Sequence, residues 1–242
     1  PWPLASPTVH FVLADTAAVR GAGVPRGGRV ATAGAAPSAA SIEALESRLG
    51  WDVIQVYGLT ETAPFITICE PRPEHDSLTR SERARIKARQ GVELISSGEL
   101  RVVAEDGTEV PADGQSIGEI VVRGNVVMKG YYKDAEATAA AVRDGWFRSG
   151  DAAVVHEDGF VEIRDRFKDV IISGGENISS VDVEGVLLRH PAVQEAAVVG
   201  LPDERWGEAP HAFVVCKPGA QITEAELITF CREHLAHFKA PK

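Results

Sequence analysis

The chain has 242 residues, 44% of them hydrophobic, and a formal net charge of −10 at pH 7. That length supports one large or two modest domains with buried cores, and the composition excludes a disordered chain. The acidic balance argues against a nucleic-acid or anionic-membrane partner, so any phosphate ligand must be held by local donors against the global field.

Three cysteines, Cys69, Cys216 and Cys231, are widely spaced, form no Cys-x-x-Cys pair and match no zinc pattern, and none of the seven histidines falls in a metal spacing. They read as reduced core thiols of a cytoplasmic protein. No apolar run approaches the ~20 residues needed to span a bilayer. Pro1-Trp2-Pro3 has neither the regions of a signal peptide nor an initiator methionine, so the start reads as internal to something longer.

Taken in order, residues 8 to 14 read as a buried strand, and Val30-Ala31-Thr32-Ala33 as a second one leading into the small-residue turn Gly34-Ala35-Ala36-Pro37. That turn is either an ordinary strand-to-helix connection or a place where a flat group approaches the backbone. Ser38 or Ser41 caps a helix with Ile42, Leu45 and Leu49 at helical spacing, closed by Gly50. Trp51 to Tyr57 is a third strand, running into Gly58-Leu59-Thr60-Glu61-Thr62. Strand alternating with helix predicts a parallel sheet with a ligand beyond its strand ends. At such an end a tyrosine offers a stacking face, a threonine hydroxyl a donor for phosphate, and a glutamate oxygens for Mg²⁺.

Residues 81 to 91 predict a solvated basic helix closed by Gly91. From 92 to 131 the pattern turns to β, with Glu99–Val103 and Glu119–Arg123 as strands between the turn signals Asp106-Gly107 and Asp113-Gly114. Asp134 caps an alanine-rich helix that stops at Asp144-Gly145. Then come Gly150-Asp151, a hairpin of residues 152–156 and 160–163 about Glu157-Asp158-Gly159, and the run Arg164-Asp165-Arg166-Phe167-Lys168-Asp169. A short strand at 170–172 stops at Gly174-Gly175, a pair that is either a bare turn or a close backbone approach to a ligand. An α+β unit follows. A helix capped by Ser179 or Ser180 ends near Pro191, strands cover Glu195–Gly200 and Ala212–Lys217, and a capping box at Thr223 and Glu226 opens a helix with a buried stripe of Leu227, Phe230, Cys231, His234 and Leu235.

Three of these stretches occur in one order: Tyr57-Gly58-Leu59-Thr60-Glu61, Gly150-Asp151, and Asp165-Arg166-x-Lys168-Asp169. Together with Gly34–Pro37 they resemble the acyl- and aryl-CoA synthetases of the adenylate-forming superfamily, and the resemblance covers nearly the whole chain. It implies an α/β fold: residues 1–167 as the C-terminal part of a large AMP-binding domain (1–91 its α/β portion, 92–167 a β-barrel subdomain), and 168–242 as a small mobile domain. It further implies that Gly34, Ala35, Gln55, Val56 and Tyr57 line an adenine, that Thr60 contacts the α-phosphate and that Glu61 binds Mg²⁺. Asp151 and Arg166 would then grip the ribose, with Lys168 as the hinge of the small domain. Gly174, Gly175, Asn177 and Trp206 would border the path of coenzyme A, with core packing the other reading of Trp206.

The implied activity is ATP-dependent ligation of a carboxylic acid to CoA through an acyl-adenylate. The stretch 70–91 is similar to an insertion in a subgroup of acyl-activating enzymes, which points to a short- or medium-chain fatty acid or an aryl acid. Two elements of the family are not found between Pro1 and Lys242, the Gly-rich loop for the β- and γ-phosphates and a C-terminal lysine preceded by glycine. The ligase activity is therefore expected of the family, whereas residues 1–242 read as an incomplete piece expected to catalyse little or no ATP–pyrophosphate exchange; the alternatives are a catalytically incompetent nucleotide-binding piece and an adenylation domain that loads a carrier protein.

Overall fold

The computed structural model of the chain describes Leu4–Ala5 and residues 27–242. The strand expected over 8 to 14 lies outside those residues. The chain divides into two compact units, one reaching to Ile163 and the other running from Arg164 to Lys242.

The first sheet of the first unit has the order β1 (Leu4–Ala5), β2 (Arg29–Thr32), β3 (Asp52–Tyr57), β4 (Thr67–Cys69) and β5 (Val92–Glu93). β1, β2 and β3 are parallel, and β4 and β5 join antiparallel. Helix α1 (Ala39–Leu49) carries the chain from β2 to β3. Ser38 starts it by accepting the Ser41 amide at 3.1 Å, and Gly50 ends it at φ 65°. Ile42, Leu45 and Leu49 bury themselves against Val30 and Val53 of the strands. Parallel strands covered by a helix read as short continuous apolar runs, which is why the pattern was legible.

Helix α2 (Arg80–Lys87) departs from the expectation of a solvated helix closed by Gly91. A capping box between Thr79 and Glu82 starts it, and it ends at Lys87. Ala84 is fully buried, and Lys87, 6% exposed, places its Nζ 2.5 Å from both Glu46 Oε1 and Asp52 Oδ1. Those partners lie 41 and 35 residues away, beyond the reach of any local pattern. Gly91 serves a close approach instead: at φ 77° it runs so near β4 that a Cβ would stand 2.0 Å from the Ile68 carbonyl oxygen.

The second sheet is a half-barrel with an open pairing path of β10 (Val161–Arg166), β9 (Trp146–Val155), β7 (Gly118–Arg123) and β6 (Glu99–Val103), and β8 (Val142–Arg143) adds to β9. Helix α3 (Ala135–Ala141) is capped by Asp134 but stops short of Asp144-Gly145. Val142 and Arg143 pair back onto Phe147 and Trp146 around Asp144 and Gly145, both at positive φ. A β-branched residue beside a two-residue turn favours the hairpin over another helical turn. Val102, Ile120, Val122, Ala153 and Val161 share one core with Tyr57 of β3 and with Ile66, the residue before β4.

In the second unit the sheet order is β12 (Glu176–Ile178), β11 (Ile171–Ser173), β14 (Gly207–Cys216), β13 (Val193–Asp203). β13 is longer at both ends than its apolar run suggested, and β14 starts five residues earlier but ends at Cys216, one residue short of the expected Lys217. Helix α4 (Ser180–Leu187), capped by Ser179, ends before the expected Pro191, and α5 (Glu224–His234) opens with the predicted Thr223–Glu226 box. Ile171, Ile178, Val183, Leu187, Val198 and Cys231 form the core, with Leu227, Phe230 and Leu235 packed on its edge. His234 is not part of that stripe. It is exposed, with its ring tilted against Phe230 at 4.3 Å.

The three cysteines are free, Cys69 and Cys231 buried and Cys216 half-buried. No helix among the described residues is long and apolar enough to cross a membrane.

Candidate functional site

β3 delivers Tyr57 to the C-terminal end of the parallel strands, where α/β sheets place ligands. Gly58 follows with no room for a side chain, since a Cβ there would stand 1.8 Å from the Pro64 carbonyl oxygen. A 3₁₀ turn, Thr60–Thr62, then presents Thr60 outward, while the buried Thr62 hydroxyl accepts the Leu59 amide at 2.9 Å and locks the turn. Glu61 is half-buried. Its Oε1 accepts the Tyr131 hydroxyl at 3.0 Å, and its carbonyl accepts the Met128 amide at 2.7 Å. Burial and the Glu61 carboxylate together raise the Tyr131 phenol above its ordinary pKa, so it stays a donor.

Asp151 sits in a bulge within β9. The partners of β7 step from Ala152 opposite Glu119 to Arg148 opposite Val121, so Ser149, Gly150 and Asp151 face Ile120 alone. Three bonds shape the bulge: Ser149 Oγ donates to the Ile120 carbonyl at 2.8 Å, Glu119 Oε1 accepts the Gly150 amide at 3.0 Å, and Ser149 Oγ accepts the Asp151 amide at 3.0 Å. Arg148 holds the other Glu119 oxygen, and Gly150 takes φ 75°. A bulge re-aims side chains. Here it directs Asp151, 3% exposed, at the Tyr57 hydroxyl, which donates to Asp151 Oδ2 at 2.5 Å. The Tyr-Gly-Leu-Thr-Glu turn and the Gly-Asp pair are thereby brought together.

The remaining predicted residues fall as follows. Gly34, at φ 86°, and Ala35 form an exposed turn after β2, and a Cβ on Gly34 would meet nothing within 4 Å. Gln55 and Val56 are consecutive in a strand and point to opposite faces, so their side chains cannot line one surface. Gln55 Oε1, its cross-strand neighbour Thr32 Oγ1 and Thr67 Oγ1 are buried without a hydrogen-bond partner among the described residues. That is unused polar capacity at the ligand end of the sheet.

In the second unit Arg166 and Lys168 are exposed, and the Arg166 carbonyl accepts the amides of Asp169 and Val170, closing a turn that contains Lys168. Gly174 and Gly175, at φ 62° and 88°, form the two-residue turn between β11 and β12. Gly174 does more than turn: its amide donates to the Trp206 carbonyl at 2.8 Å, and a Cβ on it would stand 2.7 Å from the Trp206 ring. Trp206 is 38% exposed, with the Arg205 guanidinium 4.7 Å and Lys242 Nζ 4.4 Å from its ring centroid. Asn177 is exposed on β12.

Sequence reasoning missed Tyr131, Ser149 and Glu119, which position the predicted residues. Each acts on a partner remote in sequence or through a bulge, and neither leaves a periodic signal.

A mixed sheet whose third parallel strand leads into a tyrosine, a threonine and a glutamate, a half-barrel whose bulge brings an aspartate to that tyrosine, and a small α+β unit after it in the chain define the architecture of an adenylate-forming enzyme. Residues 4–132 match the AMP-binding enzyme model and residues 182–242 the AMP-binding enzyme C-terminal domain. The chain belongs to the AMP-binding enzyme family.

Among its relatives, 4-hydroxybutyrate–CoA ligase 2 of Metallosphaera sedula is 49% identical over 238 residues, 98% of this chain and 43% of that protein. Two solved structures superpose along the chain. The amide bond synthetase McbA of Marinactinospora thermotolerans is 32% identical at a TM-score of 0.83, over 99% of this chain and 47% of its own. The o-succinylbenzoate CoA synthetase of Bacillus subtilis, bound to its acyl-adenylate intermediate, is 33% identical at 0.79, over 98% and 45%. The chain thus spans less than half the length of the proteins it matches.

Proposed function

We propose that the protein is an ATP-dependent acid–CoA ligase, which joins a carboxylic acid to AMP with release of pyrophosphate and then passes the acyl group to the CoA thiol with release of AMP. The observation that carries this reading is the Tyr57–Asp151 hydrogen bond, because it gathers the phosphate-facing turn and the ribose-facing carboxylate at one sheet end. Asp151 and Arg166 take the ribose hydroxyls, Thr60 the α-phosphate, and the exposed turn at Gly34 and Ala35 lies along the adenine with the side chains of Tyr57 and Gln55 and only the backbone of Val56 beneath. Gly174, Gly175, Asn177 and Trp206 border the CoA arm, and Lys168 is the hinge between the two half-reactions.

Among the described residues no three His, Cys, Asp or Glu side chains gather as a metal cage. Mg²⁺ shared with substrate phosphates needs only one or two carboxylates, and Glu61, with one oxygen fixed by Tyr131, fits that demand. The ion would neutralise charge on the phosphates as the carboxylate attacks. Positioning and charge thus carry the first step, and no protein nucleophile is required. The acid is a short- or medium-chain fatty acid or an aryl acid.

The acceptor is the finer question, since one structural neighbour is an amide bond synthetase. The CoA reading rests on the ligase relative at 49% identity. Acid-dependent ATP–pyrophosphate exchange across a panel of such acids tests the first step, and AMP release on adding free CoA tests the second. AMP binding without exchange favours a nucleotide-binding module, and exchange without CoA-dependent release favours a carrier-protein acceptor.

A further inference from the structure

Asp165 and Asp169 are the carboxylates of the Asp-Arg-x-Lys-Asp run to which the ligase reading gives no task, and Asp165 is 5% exposed. Its Oδ2 accepts the Ser180 amide at 2.7 Å and the Ser180 hydroxyl at 3.0 Å, and its Oδ1 accepts the Arg166 amide at 2.8 Å. One residue earlier, the Arg164 carbonyl accepts the Ser179 hydroxyl at 2.5 Å, and the Arg164 guanidinium stands 3.9 Å from Asp182. Lys239 holds the other Asp182 oxygen at 3.1 Å. Ser179, Ser180 and Asp182 are the cap and first turn of α4, so the strand end at 164–165 is tied to that helix by two buried charge-assisted bonds from Asp165, one neutral bond from the Arg164 carbonyl and a half-buried ion pair.

These bonds explain why the compact units part between Ile163 and Arg164 and not at Lys168. They also constrain motion. If the chain swivels at Lys168 alone, residues 164–165 stay behind while 179–182 move, and the bonds of Asp165 to Ser180, of the Arg164 carbonyl to Ser179 and of Arg164 to Asp182 must break. While they hold, residues 164–242 move only as one body, with the pivot before Arg164.

We propose that Asp165 is a positioning residue that selects the pivot: closed on Ser180 it holds the Lys168 turn rigid, and its release frees Lys168 to act as the hinge. The proposal rests on the two-step ligase reading only for what the hinge accomplishes. The tie itself lies wholly within the second unit.

The test is limited trypsin digestion of the full chain, following cleavage after Arg166 and Lys168 against cleavage after Arg205 and Arg232 elsewhere in the same unit. Losing charge-assisted bonds raises the opening equilibrium by roughly tenfold or more. Asp165→Ala should therefore speed cleavage at the hinge sites by about that factor, with Arg205 and Arg232 unchanged. Asp165→Asn, which retains an oxygen for the Ser180 amide, should restore most of the protection, and Ser180→Ala, the mildest lesion, should fall between. Hinge cleavage that is unchanged in Asp165→Ala overturns the proposal, as does acceleration at all four sites in Ser180→Ala, which would mean general unfolding. A second arm compares acid-dependent exchange with CoA-dependent AMP release: Asp165→Ala should alter the ratio of the two rates. Selective hinge cleavage in a chain that ligates no acid would sink the ligase reading and leave the latch standing, and an unaltered ratio in an active enzyme would overturn the role assigned to Asp165.

Discussion

The Tyr57 hydroxyl donates to Asp151 Oδ2 across 94 positions of sequence, and both groups are buried. The bond fixes the end of a parallel strand against a bulge in an antiparallel one, so it serves the shape of the site as well as its chemistry. Tyr57→Phe keeps the ring in its core and deletes only the donor. The expected cost is about 1.5–3 kcal/mol, the range for a hydrogen bond to a charged group. Denaturant unfolding of the first unit should register it as a lower midpoint at unchanged slope. An unchanged midpoint would mean that Asp151 is satisfied without Tyr57.

Lys87 makes a second, independent forecast. It bridges Glu46 and Asp52 with its side chain 7% exposed, and Glu46 also accepts the Val53 amide at 3.1 Å. Lys87→Met leaves Glu46 as an uncompensated buried charge and should destabilise by about 3 kcal/mol. Asp52 is cushioned, being 36% exposed and paired with Arg29 at 3.2 Å. Adding Glu46→Leu to Lys87→Met removes the stranded charge, so the double variant should recover much of the loss. Thermal melts of the two single variants and the double would decide it, and strict additivity would argue against coupling.

The same network shows where sequence reading stops. Alternation of apolar strands with a helix at Ile42, Leu45 and Leu49 made the α/β portion legible, because each signal lies within a dozen residues. Tyr57, Thr60, Glu61, Asp151 and Arg166 could be named as candidates from their local motifs. What holds them could not. The bulge at Ser149–Asp151 depends on which residue of β7 stands opposite, and Tyr131 meets Glu61 through the fold of a separate loop. The burial of Lys87 and the exposure of His234 share that origin, since helical spacing gives a residue's face and tertiary packing decides what that face meets.

Thiol chemistry gives a third forecast. Burial pushes the Cys69 thiol up to about 12, and the nearby Arg89 and Lys87 charges offset only part of the shift. Burial raises Cys231 as well. The thiolate is the reactive species, so both should resist alkylation in the native state. Cys216 is half-buried and should label first. Mass spectrometry after a timed exposure to iodoacetamide at pH 8 should find one modified cysteine in the folded chain and three after denaturation. Early modification of Cys69 would contradict the packing of β4 against α2.

Glu184 supplies a forecast in pH. Burial raises its carboxyl above the ordinary carboxylate value, and Asp165 adds to the shift, while the bond it accepts from the Val198 amide at 2.8 Å pulls the other way. With the native pKa above the unfolded one, the folded state binds the proton more tightly. Stability from this group is therefore greatest at low pH and falls as pH rises from the unfolded value through the native one. Glu184→Gln keeps an oxygen for the Val198 amide and removes the charge. It should melt higher than the parent at pH 7, and the gap should close as pH falls below the ordinary carboxylate range. A parent at least as stable as Glu184→Gln at pH 7 would show that the carboxylate has compensation in the fold that outweighs its burial.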